Sequence, residues 1–338
     1  MKKASFAKLR YLVIIVILSI SFFVCVTGSA FADTCKHRGD LDLLFCDEDG
    51  DLLADTPKNS DQWLDPGTLV FSYTAVEDPS VYENVFSELM DYIAMKTGKK
   101  VKWYGPESYA AQVEAMRSGR LHVSGFAAGA TVYGVNLAGF HPVAMMGNKD
   151  GSFRGYQLWL ITHKDSDIKT VKDLKGRKVA HVTPSSNSGN QAPRALFKSM
   201  GVVPDVDYEV IYSGKHDNSI MGVVNKDYDA APVASTVMQR MMERGVFNPS
   251  EVRIIWKSDQ FPGTSYGYAY NLNPALQEKI KDAFLTFDWK GTGLEKDFGK
   301  RAEAFVPVDY VKHWNVIRTI QKANGVVYSQ EALSSLKE

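Results

Sequence analysis

Apolar positions along this chain recur with two periods, and the two alternate. Residues 69–73 (LVFSY) form a strand-like run, while Val85, Leu89, Tyr92 and Ile93 repeat at helical spacing over 81–97, stopping at Gly98. The same reading predicts strands at 101–104 and 121–126, a helix over 109–118 and a shorter one over 131–138. From residue 155 the alternation restarts, with strands at 155–163, 179–182, 208–212, 229–233 and 252–257 and helices over 192–200, 217–225 and 235–244. A strand at 268–271 and helices over 274–287 and 310–324 complete the pattern. Such alternation implies an α/β fold of mainly parallel sheets covered on both faces by helices. The restart divides it into two lobes, the second inserted in the first: lobe 1 spans 67–154 and 270–338, and lobe 2 spans 155–269. In open α/β sheets a ligand sits beyond the carboxyl ends of the strands, which here is the cleft between lobes.

The richest chemistry on this frame lies at 179–200, VAHVTPSSNSGNQAPRALFKSM. A strand passes through Pro184 into Ser185, Ser186, Asn187, Ser188 and Gly189, and then into a helix. The first backbone N–H groups of a helix have no partner within it, and the dipole puts its positive end there. A turn of small hydroxyl and amide residues at that point suits an anion. The ordinary alternative is a helix cap with nothing bound, but four consecutive capping-type residues and a glycine exceed what one cap needs.

Composition narrows the possibilities. Residues 1–32 read as a secretory signal peptide: Lys2, Lys3, Lys8 and Arg10 precede an apolar run over 11–26, and Ala30-Phe31-Ala32 has the small-x-small pattern of a cleavage site. The whole chain balances 39 basic against 39 acidic residues, and losing four basic ones leaves a net charge of −4. Such a chain is no nucleic-acid binder by bulk electrostatics. The location expected is the periplasm or cell surface, where Cys35 and Cys46 most simply form one small disulfide loop. The segment 33–66 containing them is rich in Asp, Gly and Pro. Asp47, Asp49, Asp51 and Asp55 surround Gly50 as a calcium loop would require, without the closing glutamate; the plainer alternative is a solvated acidic loop.

Three marks in this order make the chain resemble a known family, the periplasmic phosphonate-binding proteins of ABC transporters, whose relatives also take phosphite and phosphate. They are DLKGRKVA at 173–180, SSNSG at 185–189, and SGKHDNSI at 213–220 followed by Asp229-Ala230-Ala231. The resemblance covers nearly all of 68–274. It implies a two-lobed type II periplasmic binding protein, no enzyme, needing no cofactor and no metal in the cleft. Its phosphonate contacts fall on Ser186, Asn187, Ser188, His216, Tyr109 and Tyr156. Hydroxyls, an amide and N–H groups can hold an anionic oxygen without burying a full positive charge. A protonated His216 would hold a dianion better, which predicts tighter binding at mildly acid pH; its ordinary alternative is a helix cap. Phe126, Thr264, Tyr266 and Tyr268 are expected to line the cleft.

The departures from the family are informative. Where aminoalkylphosphonate binders of this family grip an ammonium with two carboxylates, this chain has Thr236 and Thr264. A buried ammonium there lacks its counter-charge, so the ligand expected is phosphite, methylphosphonate or phosphate. Capture would proceed by hinge closure of a monomer, with delivery to a permease. The GxxxxGK[ST] phosphate loop does not occur, so the ATPase is a separate polypeptide. Two alternatives remain open at this point: a secreted hydrolase using Ser186 or Ser188 with His216, although no G-x-S-x-G elbow is present, and a sensory protein that hands its closed form to a receptor.

Overall fold

The computed structural model describes residues 35–335, so the expected signal peptide lies outside the described residues. In chain order the first lobe opens with β1 (Thr68–Tyr73), α1 (Ser80–Glu83), α2 (Ser87–Thr97), β2 (Lys100–Tyr104), α3 (Tyr109–Arg117), β3 (Val123–Phe126), α4 (Ala128–Ala138) and β4 (Phe140–Gly147). The second lobe contains β5 (Leu158–His163), β6 (Lys178–His181), α5 (Ala192–Ser199), β7 (Glu209–Tyr212), α6 (His216–Val224), β8 (Ala230–Ala234), α7 (Ser235–Glu243) and β9 (Val252–Lys257). The chain then returns through β10 (Ser265–Ala269), α8 (Pro274–Thr286), α9 (Gly293–Phe298), β11 (Ala304–Pro307), α10 (Tyr310–His313), α11 (Asn315–Ala323) and α12 (Gln330–Ser335). Among these described residues no helix is long and apolar enough to cross a membrane.

The first sheet runs β11-β4-β10-β3-β1-β2 and the second β7-β6-β8-β5-β9. Both are mixed rather than mainly parallel. β1 is parallel to β2 and β3, and β6 to β7 and β8, but β10 runs against β3 and β4, and β5 against β8 and β9. The physical reason is the crossing between lobes. Strands whose carboxyl ends face the cleft run toward it, whereas β5 and β10 are the first strands after each crossing and run away from it. β10 also corrects the expected point of return, because Ser265 already pairs with Phe126 and Met145 of the first sheet.

β4 escaped the sequence reading because Pro142 interrupts a run that is otherwise strand-like. Proline is tolerated because it stands opposite Gly267, where the pairing of β10 shifts register. A Cβ on Gly267 would lie 1.8 Å from the His141 carbonyl oxygen, so only glycine fits this contact. The helix expected over 81–97 is two pieces, α1 and α2, and α2 ends as expected in a left-handed Gly98 whose N–H bonds the Ala94 carbonyl.

The N-terminal segment is not a loose tail. Cys35 and Cys46 form a disulfide, Leu41, Phe45 and Ala54 are buried, and Phe45 meets the Tyr270 ring edge-on with centroids 4.9 Å apart. Asp42 pairs with Arg117 of α3 at 3.2 Å. The segment is thereby stapled to the first lobe, away from the cleft.

Candidate ligand-binding cleft

The connection from β6 to α5 forms the wall of the cleft in the second lobe. Ser186 caps a single π-helical turn, Asn187–Gln191, with its Oγ accepting the Gly189 N–H at 3.2 Å. π turns are rare and recur at functional sites because they present backbone and side-chain groups that an α-helix would consume. The turn is held from several sides. Asn190 and Gln191 donate side-chain amides to the Pro184 carbonyl at 2.8 and 2.6 Å, and Asn324, from beyond α11 in the first lobe, donates to the Gln191 carbonyl at 2.8 Å. Ser186, Asn187 and Ser188 are all at least 98 % buried.

His216 stands beside the turn at the start of α6, its Nε2 3.4 Å from Ser186 Oγ. The Ala234 N–H donates to His216 Nδ1 at 3.2 Å, so the neutral ring carries its proton on Nε2, facing the cleft. Burial pushes its pKa down to about 3. The expected tightening at mildly acid pH is therefore corrected, since a second proton would displace the Ala234 N–H and charge a buried ring. The same bond disfavours the hydrolase, whose histidine needs to donate from Nδ1 to an orienting acid.

The first lobe contributes Tyr109 and the N-terminus of α4. Ser108 caps α3 by accepting the Ala111 N–H at 3.1 Å, which sets Tyr109 at the helix start, 98 % buried. The opening of α4 was not read from the sequence, because Ala127, Ala128 and Gly129 carry no chemistry in their side chains. The indole of Trp314 and the amide of Gln321 each donate to a carbonyl of its first turn, at Ala128 and Gly129, at 3.0 Å. Gly129 approaches the opposite lobe so closely that a Cβ on it would stand 2.2 Å from the Ser185 carbonyl oxygen.

Tyr109, Tyr156, Ser186, Asn187, Ser188, His216 and Thr264 line one cavity of about 340 Å³. Phe126 does not line it: the ring is fully buried beneath α4, edge-on to Phe140 at 4.7 Å. Tyr266 and Tyr268 are likewise excluded, Tyr266 by packing on Phe284 and Phe305 and Tyr268 by facing His141. Every residue of β3 is buried, so the strand pattern cannot show which face meets the cleft.

Five polar atoms of the residues lining this cavity are buried without a hydrogen-bond partner: Tyr109 Oη, Ser188 Oγ and Asn187 Oδ1 in the cradle, and Arg240 Nε and Arg301 Nε beside it. Each such group costs roughly 1–3 kcal/mol when nothing satisfies it. Burial raises the pKa of Tyr109 and of Tyr156, so both stay O–H donors. Asn187 Nδ2 donates to Tyr156 Oη at 3.1 Å. A half-turn of that amide lets Tyr156 donate to Oδ1 and frees the NH₂ for an anion. Among the residues lining the cavity there is no Asp or Glu, and four are cationic: Arg154, Arg240, Lys300 and Arg301.

Of the acidic loop, the structure brings Asp47, Asp49 and Asp51 together, with carboxylate oxygens within 4.8 Å of one another and Asp47 buried. Asp55 is not in that group; its carboxylate accepts the Glu48 N–H at 2.9 Å.

Two solved structures share the two-lobed architecture: a binding protein component of an ABC phosphonate transporter from Pseudomonas aeruginosa (TM-score 0.67, 21% identity, 81% of this chain and 94% of that one) and PhnD1 of Prochlorococcus marinus in complex with methylphosphonate (TM-score 0.67, 17% identity, 77% and 99%). These likenesses define the class by fold, a type II periplasmic binding protein with its cleft between mixed sheets. Residues 71–314 match the family of periplasmic substrate-binding proteins of phosphonate ABC transporters, and the chain belongs to that family. Among its curated relatives, the "Phosphate-import protein PhnD" of Mycolicibacterium smegmatis is 30% identical over 68% of this chain and 75% of that protein. The "Phosphonates-binding periplasmic protein" of Escherichia coli is 23% identical over 65% and 66%. Family members bind substrate for a transporter and are not enzymes, which sets the hydrolase aside. Membership also implies an extracytoplasmic location, a small-molecule ligand, and a membrane permease and ATPase as partners.

Proposed function

We propose that this chain, acting as a monomer, captures a compact phosphorus oxyanion and closes its lobes over it for delivery to the permease. The ligand is phosphite, methylphosphonate or phosphate. The observation that carries this reading is the pair Tyr109 Oη and Ser188 Oγ, on opposite lobes, both buried and both without a partner in one cavity. A tetrahedral oxyanion supplies acceptors to both at once, and its binding then draws the lobes together. Ser186 Oγ, His216 Nε2–H and the N-terminal N–H groups of α4 supply further uncharged donors, so the site needs no metal and no cofactor.

The second half of the reading is exclusion. Thr236 and Thr264 line the cavity where a carboxylate pair would be needed for an amino group, and the charged side chains that line it are all cationic. An ammonium would enter unpaired and beside like charge, a situation that costs several kcal/mol in a buried site. Titration calorimetry with phosphite, methylphosphonate, phosphate and 2-aminoethylphosphonate tests this. Tight binding of at least one of the first three and weak binding of the last is expected; preference for 2-aminoethylphosphonate overturns the reading.

A further inference from the structure

Beside the cradle the lobes also meet through charge. α7 carries Arg240 and Glu243, three positions apart, and Arg244 follows directly, so the three lie on one helix face. Facing them from the first lobe stand Glu77 after β1, Asp297 in α9 and Arg301 shortly beyond it. Arg240 Nη2 donates to Glu77 Oε2 at 3.1 Å and to Tyr82 Oη at 2.8 Å, and Tyr82 Oη donates in turn to Glu77. Arg244 bonds the other Glu77 oxygen. Arg301 Nη1 holds both oxygens of Glu243 at 2.9 and 3.0 Å, and Asp297 lies 3.7 Å from Arg240 Nε.

The pairing runs across the cleft. Glu77 is 1% exposed and Arg240 3%, yet the cationic partners of Glu77 both come from the second lobe. The partners of Arg240, namely Glu77, Tyr82, Asp297 and the Phe298 ring 5.0 Å beneath its guanidinium, all come from the first. Glu77 also follows Val76, whose carbonyl accepts the His216 N–H at 3.0 Å, so this charged contact adjoins the cradle.

We infer that the Glu77–Arg240–Arg244 cluster is a closure clasp and that Arg240 is a positioning residue for ligand capture. The inference rests on the closing-lobe reading above. An intact buried ion pair adds little net stability, but one left without its partner is strongly unfavourable. The clasp therefore does not lock the lobes by itself. It makes the one closed register in which Glu77 is matched the only closed register that is accessible, and that register aligns Tyr109 with Ser188.

Arg240→Met, Arg244→Gln and the double variant Glu77→Gln/Arg240→Met test this, with methylphosphonate as probe and paired labels on the two lobes to read their separation. Arg240→Met should weaken binding by at least about tenfold, since closure then buries a half-matched carboxylate. Its lobes should stand further apart than those of the wild type, and its melting temperature should fall in the presence of ligand far more than without it. The double variant should recover part of the affinity. Arg244→Gln, a partly exposed position, should show the same effect in weaker form, and it serves should Arg240→Met not fold. Unchanged affinity and unchanged separation overturn the inference; so does a loss of stability equal with and without ligand and unrelieved in the double variant. If methylphosphonate and the other oxyanions fail to bind the wild type, the capture reading fails. Binding by the wild type together with unchanged affinity and separation in Arg240→Met overturns the clasp alone.

Discussion

Two polar regions join the lobes, and they are built on opposite terms. In the cradle around Ser188 every recognising group is uncharged, and three buried polar atoms lack partners. In the clasp around Glu77 the groups are charged, and the buried carboxylate has two guanidinium partners and a phenol. A buried group left unsatisfied raises the energy of the closed protein until something enters to satisfy it. The Glu77 carboxylate matched across the cleft selects one closed geometry without a ligand, while Arg240 Nε, Arg301 Nε and Asp297 Oδ2 keep no hydrogen-bond partner there. Recognition and alignment are thus assigned to different residues, and substitutions in the two regions should fail differently.

The largest effect should come from preventing the approach of the lobes while leaving all donors in place. Gly129→Val places side-chain atoms against the Ser185 carbonyl, where even a Cβ would be at 2.2 Å, so calorimetry should show affinity lower by about 100-fold or more, equivalent to roughly 2.7 kcal/mol. Ser188→Ala removes one cradle donor and leaves closure intact. It should cost about tenfold, the worth of one charge-assisted hydrogen bond at roughly 1.5 kcal/mol, with lobe separation unchanged at saturation.

The pH dependence separates stability from binding. His216 has its pKa pushed down to about 3 and His181 to about 4, both by burial. Against an unfolded value near 6.5, the unfolded chain binds more protons over that interval, so stability falls as pH drops below about 6.5. Each histidine should cost about 1.4 kcal/mol per pH unit there, visible as a falling denaturation midpoint. Glu77, held below its usual value because the charges of Arg240 and Arg244 and the Tyr82 bond outweigh its burial, adds a further loss at lower pH. Oxyanion affinity, once corrected for the ligand's own second ionisation, should not rise between pH 8 and 6; a rise that remains would mean that His216 binds as a cation. The smallest effect is expected of chelation, which should leave affinity unchanged because His216 is the lone histidine lining the cavity and no Asp, Glu or Cys lines it.

These two regions were also unequally legible in the sequence. Most of the cradle's second-lobe half is contiguous, four capping-type residues and a glycine between a strand and a helix, so periodicity and side-chain chemistry converge on it, while Tyr156 and His216 were reached through the family resemblance. Of its first-lobe half, Tyr109 was reached through the family resemblance, whereas Ala128 and Gly129 act through backbone N–H groups that any sequence has. The clasp was invisible for another reason: Arg240, Glu243 and Arg244 look like any solvated helix face, and Glu77 lies 163 residues from Arg240. Of the fold, the alternation of elements was readable, but the mixed sheets were not, because the direction of β5 and β10 follows from where the chain crosses between lobes. Pro142 hid β4 for the local reason that its partner is a glycine bulge.

The central claim is that uncharged donors from both lobes grasp one phosphorus oxyanion. It is tested most directly by a crystal structure of the protein with methylphosphonate. The oxyanion should lie within about 3 Å of both Tyr109 Oη and Ser188 Oγ, with the Asn187 NH₂ turned toward it. An oxyanion bound instead by Arg240 or Lys300, with Ser188 turned away, would contradict the account.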